Sequence, residues 1–257
     1  MNGPSPRDAV ADVAVMARRE LTATLRKPAL LSISLIQPLM LILVFRYVFG
    51  GAIRTPDGSY VNYLMPGILA MTVTFGAILT GVGLSEDLSK GIVDRLRSLP
   101  IARSAVLIGR TLSDLVRNVG AVAVILGVGL LIGFRPSGSP ARFVLAIALL
   151  LAFAYAFSWI AASIALVVRD PETAQSAGFL WVLPLTLVSS AFVPTDSMPA
   201  GVRAVAEVNP FSLCVDAVRA LMVGGDATVP FLGTLAWLVG LLAVFVPLAV
   251  SRYRALQ

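Results

Sequence analysis

The 257-residue chain contains no histidine, one cysteine and two lysines. Without histidine, the usual general base and the commonest metal ligand are missing. Cys214 stands alone, so no intramolecular disulfide can form. Lys27 is followed by Pro28 and Lys90 by Gly91. Neither lysine therefore belongs to a G-x-x-x-x-G-K-[ST] loop, the backbone cradle for nucleotide phosphates. Charge is also scarce: Asp, Glu, Lys and Arg make up 13% of the residues, about half the share in a soluble domain. We find no charged side chain near the centre of any long apolar run, which argues against proton- or sodium-coupled transport and against a charge-selective channel. Thr186, Ser189 and Ser190 have no evident base nearby and read as bonded to their own helix.

What the chain has is oil. Apolar residues make up 58% of it, and the mean hydropathy is +0.89. Several runs approach the roughly 20 residues that a spanning helix needs. The expected fold class is all-α, a polytopic membrane protein forming a single transmembrane domain over residues 1–257. Six spans are expected, near residues 29–49, 62–84, 118–134, 142–168, 174–193 and 231–250. Residues 7–27 place Val10, Val13, Ala14, Ala17, Leu21 and Leu25 on one helical face, the pattern of an interfacial amphipathic helix or of one packed on a partner. The basic residues before the first run make a cleaved signal peptide unexpected.

The longest charged passage, 86–117, lies between the second and third runs. Basic residues favour the cytoplasmic side. With both termini inside, 14 of the 20 Lys and Arg residues fall on that side. The net charge of +6 is thus explained by topology, and without interleaved aromatics nothing points to nucleic acid. In the first span, the amide of Gln37 needs a partner in the bundle or a wet cavity. Thr72, Gly76, Thr80 and Gly83 share a face of the second span. Together with Gln37, the first three are candidates for a translocation or dimer face; ordinary close helix packing is the other reading. Residues 194–230 hold two short apolar stretches bounded by Pro or Gly. Neither is long enough to span, so a re-entrant helix pair on the outer side is expected.

Two motifs resemble those of the type-two ATP-binding-cassette (ABC) exporter permeases. One is Glu86…Gly91-Ile-Val-Asp94-Arg95-Leu96…Leu99-Pro100…Arg103…Gly109-Arg110. The other is Phe192-Val-Pro194…Met198-Pro199…Asn209-Pro210-Phe211…Asp216…Arg219, in which Leu213 departs from the family pattern. The chain is most similar to the small daunorubicin- and doxorubicin-resistance permeases. The resemblance implies a transport subunit of the bacterial plasma membrane, without its own ATPase site, moving a hydrophobic drug or lipid out of the cytoplasm or inner leaflet. It implies no directly bound cofactor, with ATP and Mg used by a partner ATPase, and a second permease copy or sister subunit. Asp94, Arg95, Leu96, Arg97, Leu99, Pro100 and Arg103 would couple to that ATPase, and Pro194, Pro199, Asn209, Pro210 and Arg219 would form the outer motif. A permease for polysaccharide or lipid-linked glycan, and a membrane scaffold or channel without ATP coupling, are the alternatives.

Overall fold

The computed structural model describes Val15, Thr22 and residues 28–49, 59–91 and 103–255. The 7–27 helix and the coupling positions Asp94 to Pro100 lie outside the described residues; Arg103 opens a helix, and its side chain is not among the described groups. Within the described residues the fold is all-helical. The elements are α1 (Pro28–Val44), α2 (Tyr60–Ser89), α3 (Arg103–Leu131), α4 (Pro140–Val168), α5 (Pro171–Leu187), α6 (Ala200–Val208), α7 (Pro210–Val223) and α8 (Thr228–Ala255). A π-helical turn, Phe45–Phe49, prolongs α1. Among the described residues, four stretches are long and apolar enough to cross a membrane: Tyr60–Ser89, Ile108–Leu131, Pro140–Val168 and Thr228–Tyr253. The runs taken for the first and fifth spans form helices of 17 residues each, α1 and α5, short of the roughly 20 a straight crossing needs.

Helix α2 is the axis of the bundle. It packs against α1, α3, α4, α5 and α7 and is buried along most of its length. Bilayer hydrocarbon is as apolar as leucine, so close packing and interhelical hydrogen bonds hold such a helix in place. Small residues allow the approach. A Cβ on Gly67 would lie 2.5 Å from the Ala191 carbonyl oxygen, and one on Gly81 3.0 Å from that of Ala161. Aromatic rings fill the space between α4, α5 and α7. Phe153 lies 4.2 Å from Phe157 and 6.3 Å from Phe211 between ring centroids, and Phe157 lies 5.2 Å from Trp181. A smaller cluster of Leu84, Trp159, Leu166, Ala249 and Tyr253 joins α2, α4 and α8.

Three boundaries differ from the sequence reading. Helix α2 runs on to Ser89 and α3 begins at Arg103, so most of the described part of the charged passage is helix rather than loop. Asp114 and Arg117 therefore sit inside the apolar stretch Ile108–Leu131, which corrects the expectation of no charge deep in a span. They neutralise each other as an ion pair. The third difference is α5, which stops at Leu187 instead of reaching Val193. Pro184 lacks an N–H, which leaves the Leu180 carbonyl without its helical donor. Beyond Leu187 the chain is drawn off to bond with α7.

Candidate functional site: a polar hub and a charged helix base

The end of α5 poses a chemical problem: its last carbonyls have no donors within the helix. Asn209 supplies them. Its Nδ2 donates to the carbonyls of Leu185 (2.8 Å) and Val188 (2.7 Å). Its Oδ1 accepts the Phe211 N–H at 2.8 Å and so caps α7, with Pro210 at the first helical position, where a missing N–H costs nothing. One amide thus ends one helix and starts another.

Arg219, two turns along α7, gathers the rest. Its Nε donates to the Tyr63 carbonyl (3.1 Å), Nη2 to the Ser190 carbonyl (2.8 Å) and Nη1 to Asp216 Oδ1 (2.5 Å). The guanidinium carbon lies 3.8 Å from the centroid of the Tyr63 ring, close enough for a cation–π contact. Tyr63 Oη donates to the Ser190 carbonyl (2.8 Å), and Ser190 Oγ donates to Asp216 Oδ1 (2.7 Å). The Ser190 N–H donates to Ser212 Oγ at 3.2 Å. Tyr60 Oη reaches the Phe192 carbonyl at 3.1 Å. The hub ties the first turn of α2, the unwound 188–194 segment and α7 into one unit. A planar guanidinium with fixed donors suits such a junction better than a lysine ammonium would.

The structure brings Asn209, Pro210 and Arg219 together and leaves the other outer-motif prolines nearby as chain breakers. Pro194 precedes the 3-10 turn Thr195–Ser197, and Pro199 precedes α6. The sequence reading missed Ser190, Ser212, Asp216 as an ion-pair partner, Tyr60 and Tyr63. Ser189 does bond its own segment, at the Thr186 carbonyl, but Ser190 bonds α7 instead. The Asp216–Arg219 spacing of three on a helix was the available signal.

The same end of the bundle is closed by the α3–α4 turn. The N–H groups of Ser137 and Gly138 both donate to the Met222 carbonyl, and Arg142 Nη2 donates to the carbonyls of Ala220 and Gly225. A Cβ on Gly138 would lie 2.2 Å from the Leu221 oxygen, so the turn requires glycine. The α4–α5 turn lies at the opposite end. There Asp170 caps α5 by accepting the Thr173 N–H and hydroxyl, which hold its carboxyl below the usual carboxylate range.

At that opposite end, the facing ends of α2 and α3 carry the second constellation. Arg110 Nη1 pairs with Asp87 Oδ2 at 2.5 Å, joining the two helices. Arg117 pairs with Asp114 at 2.9 Å and donates Nη2 to the Gly76 carbonyl at 2.8 Å, midway along α2. Asn118 Oδ1 lies where a Gly76 Cβ would meet it at 2.7 Å. Asp114 Oδ2 and Asn118 Nδ2 are buried without a partner among the described residues. These contacts brace the two helices on either side of residues 92–102.

Of the four candidates for a translocation or dimer face, Thr72, Gly76 and Thr80 lie at four-residue intervals along α2, and Gln37 lies apart on α1. Thr72 and Thr80 are buried inside the protomer; Thr72 Oγ1 donates to the Ile68 carbonyl, and Thr80 Oγ1 reaches Ser158 Oγ at 3.5 Å. Gly76 packs on α3. Gln37 alone is exposed, on the outer face of α1. Phe157 and Trp181 pack in the core.

Among the described residues, no group of three or more His, Cys, Asp or Glu side chains is placed to hold a metal. Residues 11–223 match the family described as ABC-2 type transporter. The chain is 34% identical to the daunorubicin resistance ABC transporter permease protein DrrB1 of Streptomyces coeruleorubidus, covering 98% of this chain and 90% of that one. It is 25% identical to the probable doxorubicin resistance ABC transporter permease protein DrrC of Mycobacterium tuberculosis, over 96% and 90%. It is 21% identical to the probable multidrug ABC transporter permease YbhR of Escherichia coli, over 71% and 49%. Read with the helical bundle, its apolar stretches and the outer motif around Asn209 and Arg219, these matches show that the chain belongs to the ABC-2 type transporter family of multi-pass membrane permeases.

Proposed function

We propose that this chain is the permease subunit of an ATP-driven exporter that moves a hydrophobic drug or lipid out of the cytoplasm or inner leaflet. The observation that carries this is the near full-length match to a daunorubicin resistance permease. The reading places six crossings in the plasma membrane, counting α1 with its π turn and α5 with the segment that follows it. Both termini are cytoplasmic, and α6–α7 dip back from the outer side. A separate ATPase binds ATP and Mg and docks where α2 and α3 converge. Residues Asp94 to Arg103 meet it, with Leu96 and Leu99 in a groove and Asp94, Arg95 and Arg97 at the rim. The Arg110–Asp87 and Arg117–Gly76 contacts support this assignment, because a push on residues 92–102 would enter both braced helices together. The permease works with a second copy or a sister subunit. Affinity purification from native membranes tests the proposal: an ABC-type ATPase should co-purify with the wild-type chain and be lost from Leu96→Asp at normal membrane insertion. Retention of the ATPase and of full export by Leu96→Asp would refute the coupling assignment.

A further inference from the structure

Asp114 uses one of its two oxygens. Oδ1 pairs with Arg117, three residues on, while Oδ2 is buried and meets no donor among the described residues. The side chain is 8% exposed and lies within the apolar stretch Ile108–Leu131. A buried carboxylate oxygen without a donor is costly and calls for a reason. Arg110 stands four residues before it on α3. Residues at that spacing share a helix face, with Cβ atoms about 5–6 Å apart, a gap that an arginine spans. In the structure Arg110 turns across to α2 instead, where Nη1 pairs with Asp87 Oδ2 at 2.5 Å. Gly83 makes room for it, because a Cβ there would overlap Arg110 Nη2. Gly76 makes room in the same way for Arg117 and Asn118. The two helices thus meet in two rungs, seven residues apart on each, or about 10 Å. Asp114 lies between the rungs. The Arg110–Asp87 rung is an ion pair between helices. In the other, Arg117 holds the Gly76 carbonyl and its charge is balanced within α3 by Asp114.

We propose that Asp114 Oδ2 is the second acceptor for Arg110. When the ATPase displaces residues 92–102 and parts the adjoining ends of α2 and α3, Arg110 leaves Asp87 and pairs with Asp114. Arg110 is then paired in both arrangements, so the helix ends separate without stranding a buried cation. Asp87, in the last turn of α2, is left where water serves it. Arg117 keeps the Gly76 carbonyl and acts as the pivot. This deepens the reading of the chain as an ATP-driven exporter, and rests on it. Asp114 becomes a positioning residue for the coupled step.

The test measures the separation of α2 and α3 by electron spin resonance between labels at Ser89→Cys and Leu112→Cys, both exposed, in a Cys214→Ala background. The labelled full-length chain is recombined in lipid vesicles with the unlabelled ATPase that co-purifies with it. Trapping with ATP and vanadate should widen the separation by about 2 Å, the scale of helix shifts in switching transitions, which carries the Arg110–Asp87 pair beyond ion-pair range. Asp114→Asn should lose that response and Asp114→Glu should keep it. Asp87→Asn, at the partly exposed helix end, should be widened without nucleotide, because Arg110 then has Asp114 alone. A purely structural Asp114 would lower the unfolding midpoint of Asp114→Asn and leave the response in place. An unchanged separation in the trapped wild type, a full response in Asp114→Asn, or a wild-type resting separation in Asp87→Asn overturns the proposal. Should Asp114→Asn fail to insert, Asp87→Asn and the wild type decide. A trapped ATPase without the response defeats the Asp114 exchange alone; if no ATPase co-purifies, the exporter reading falls and the proposal with it.

Discussion

Arg219 is the residue on which the hub depends. Its Nε, Nη1 and Nη2 donate to two carbonyls and a carboxylate at the junction of α2, α7 and the segment after α5. Arg219→Ala should destabilise the protein by about 2–3 kcal/mol. That is below the roughly 3–5 kcal/mol for breaking a fully buried pair, because the Asp216 side chain remains 39% exposed. Adding Asp216→Ala should restore part of the loss, since the stranded carboxylate is then removed; thermal unfolding of the two single variants and the double variant in detergent measures the coupling. Asn209→Ala leaves the half-buried Leu185 and Val188 carbonyls unpaired where the chain leaves α5, at a total cost of about 1–3 kcal/mol. Asn209→Asp keeps the cap on Phe211 but cannot donate, so its unfolding midpoint should also fall. A midpoint equal to wild type for Asn209→Asp would show that water serves those carbonyls instead.

At the scale of elements, close approach between helices can be tested by adding single methyl groups. Gly67→Ala places a Cβ against the Ala191 carbonyl and should cost about 1–3 kcal/mol. Gly127→Ala in α3 meets open space and should be neutral or stabilising by up to about 1 kcal/mol. Equal midpoints for the two variants would contradict the packing of α2 on the unwound segment. Helix existence was legible in the sequence because apolar runs of spanning length have few alternatives. The two short helices before α8 were legible from Pro199, Pro210 and Gly224, which act locally. Helix ends were not. Arg103 to Arg117 looked like a loop because charge usually marks water, yet these residues continue α3, where Arg110 and Arg117 find partners on α2. The end of α5 depends on Asn209, which lies 21 residues from Val188 in sequence. The hub was half legible: Asn209, Pro210 and Arg219 come from one motif, whereas Tyr63 and Ser190 reach it only through the fold.

Across the whole molecule, α2 runs from the hub at one end to a braced pair of helix ends at the other. Topology is open to labelling in the Cys214→Ala background, since that buried thiol is the only native one. An impermeant thiol reagent applied from outside should modify Ser137→Cys and spare Ser98→Cys. The central claim is that this chain transports but does not hydrolyse, and that a separate ATPase drives it. The most direct measurement is ATP hydrolysis and drug efflux in vesicles holding the purified chain alone, the chain with its co-purified ATPase, and Leu96→Asp with the same ATPase. The expected result is no hydrolysis by the chain alone, since no phosphate-cradling loop exists in its sequence, with efflux only in the wild-type pair. ATP hydrolysis by the chain alone, or undiminished efflux by the Leu96→Asp pair, would contradict the account.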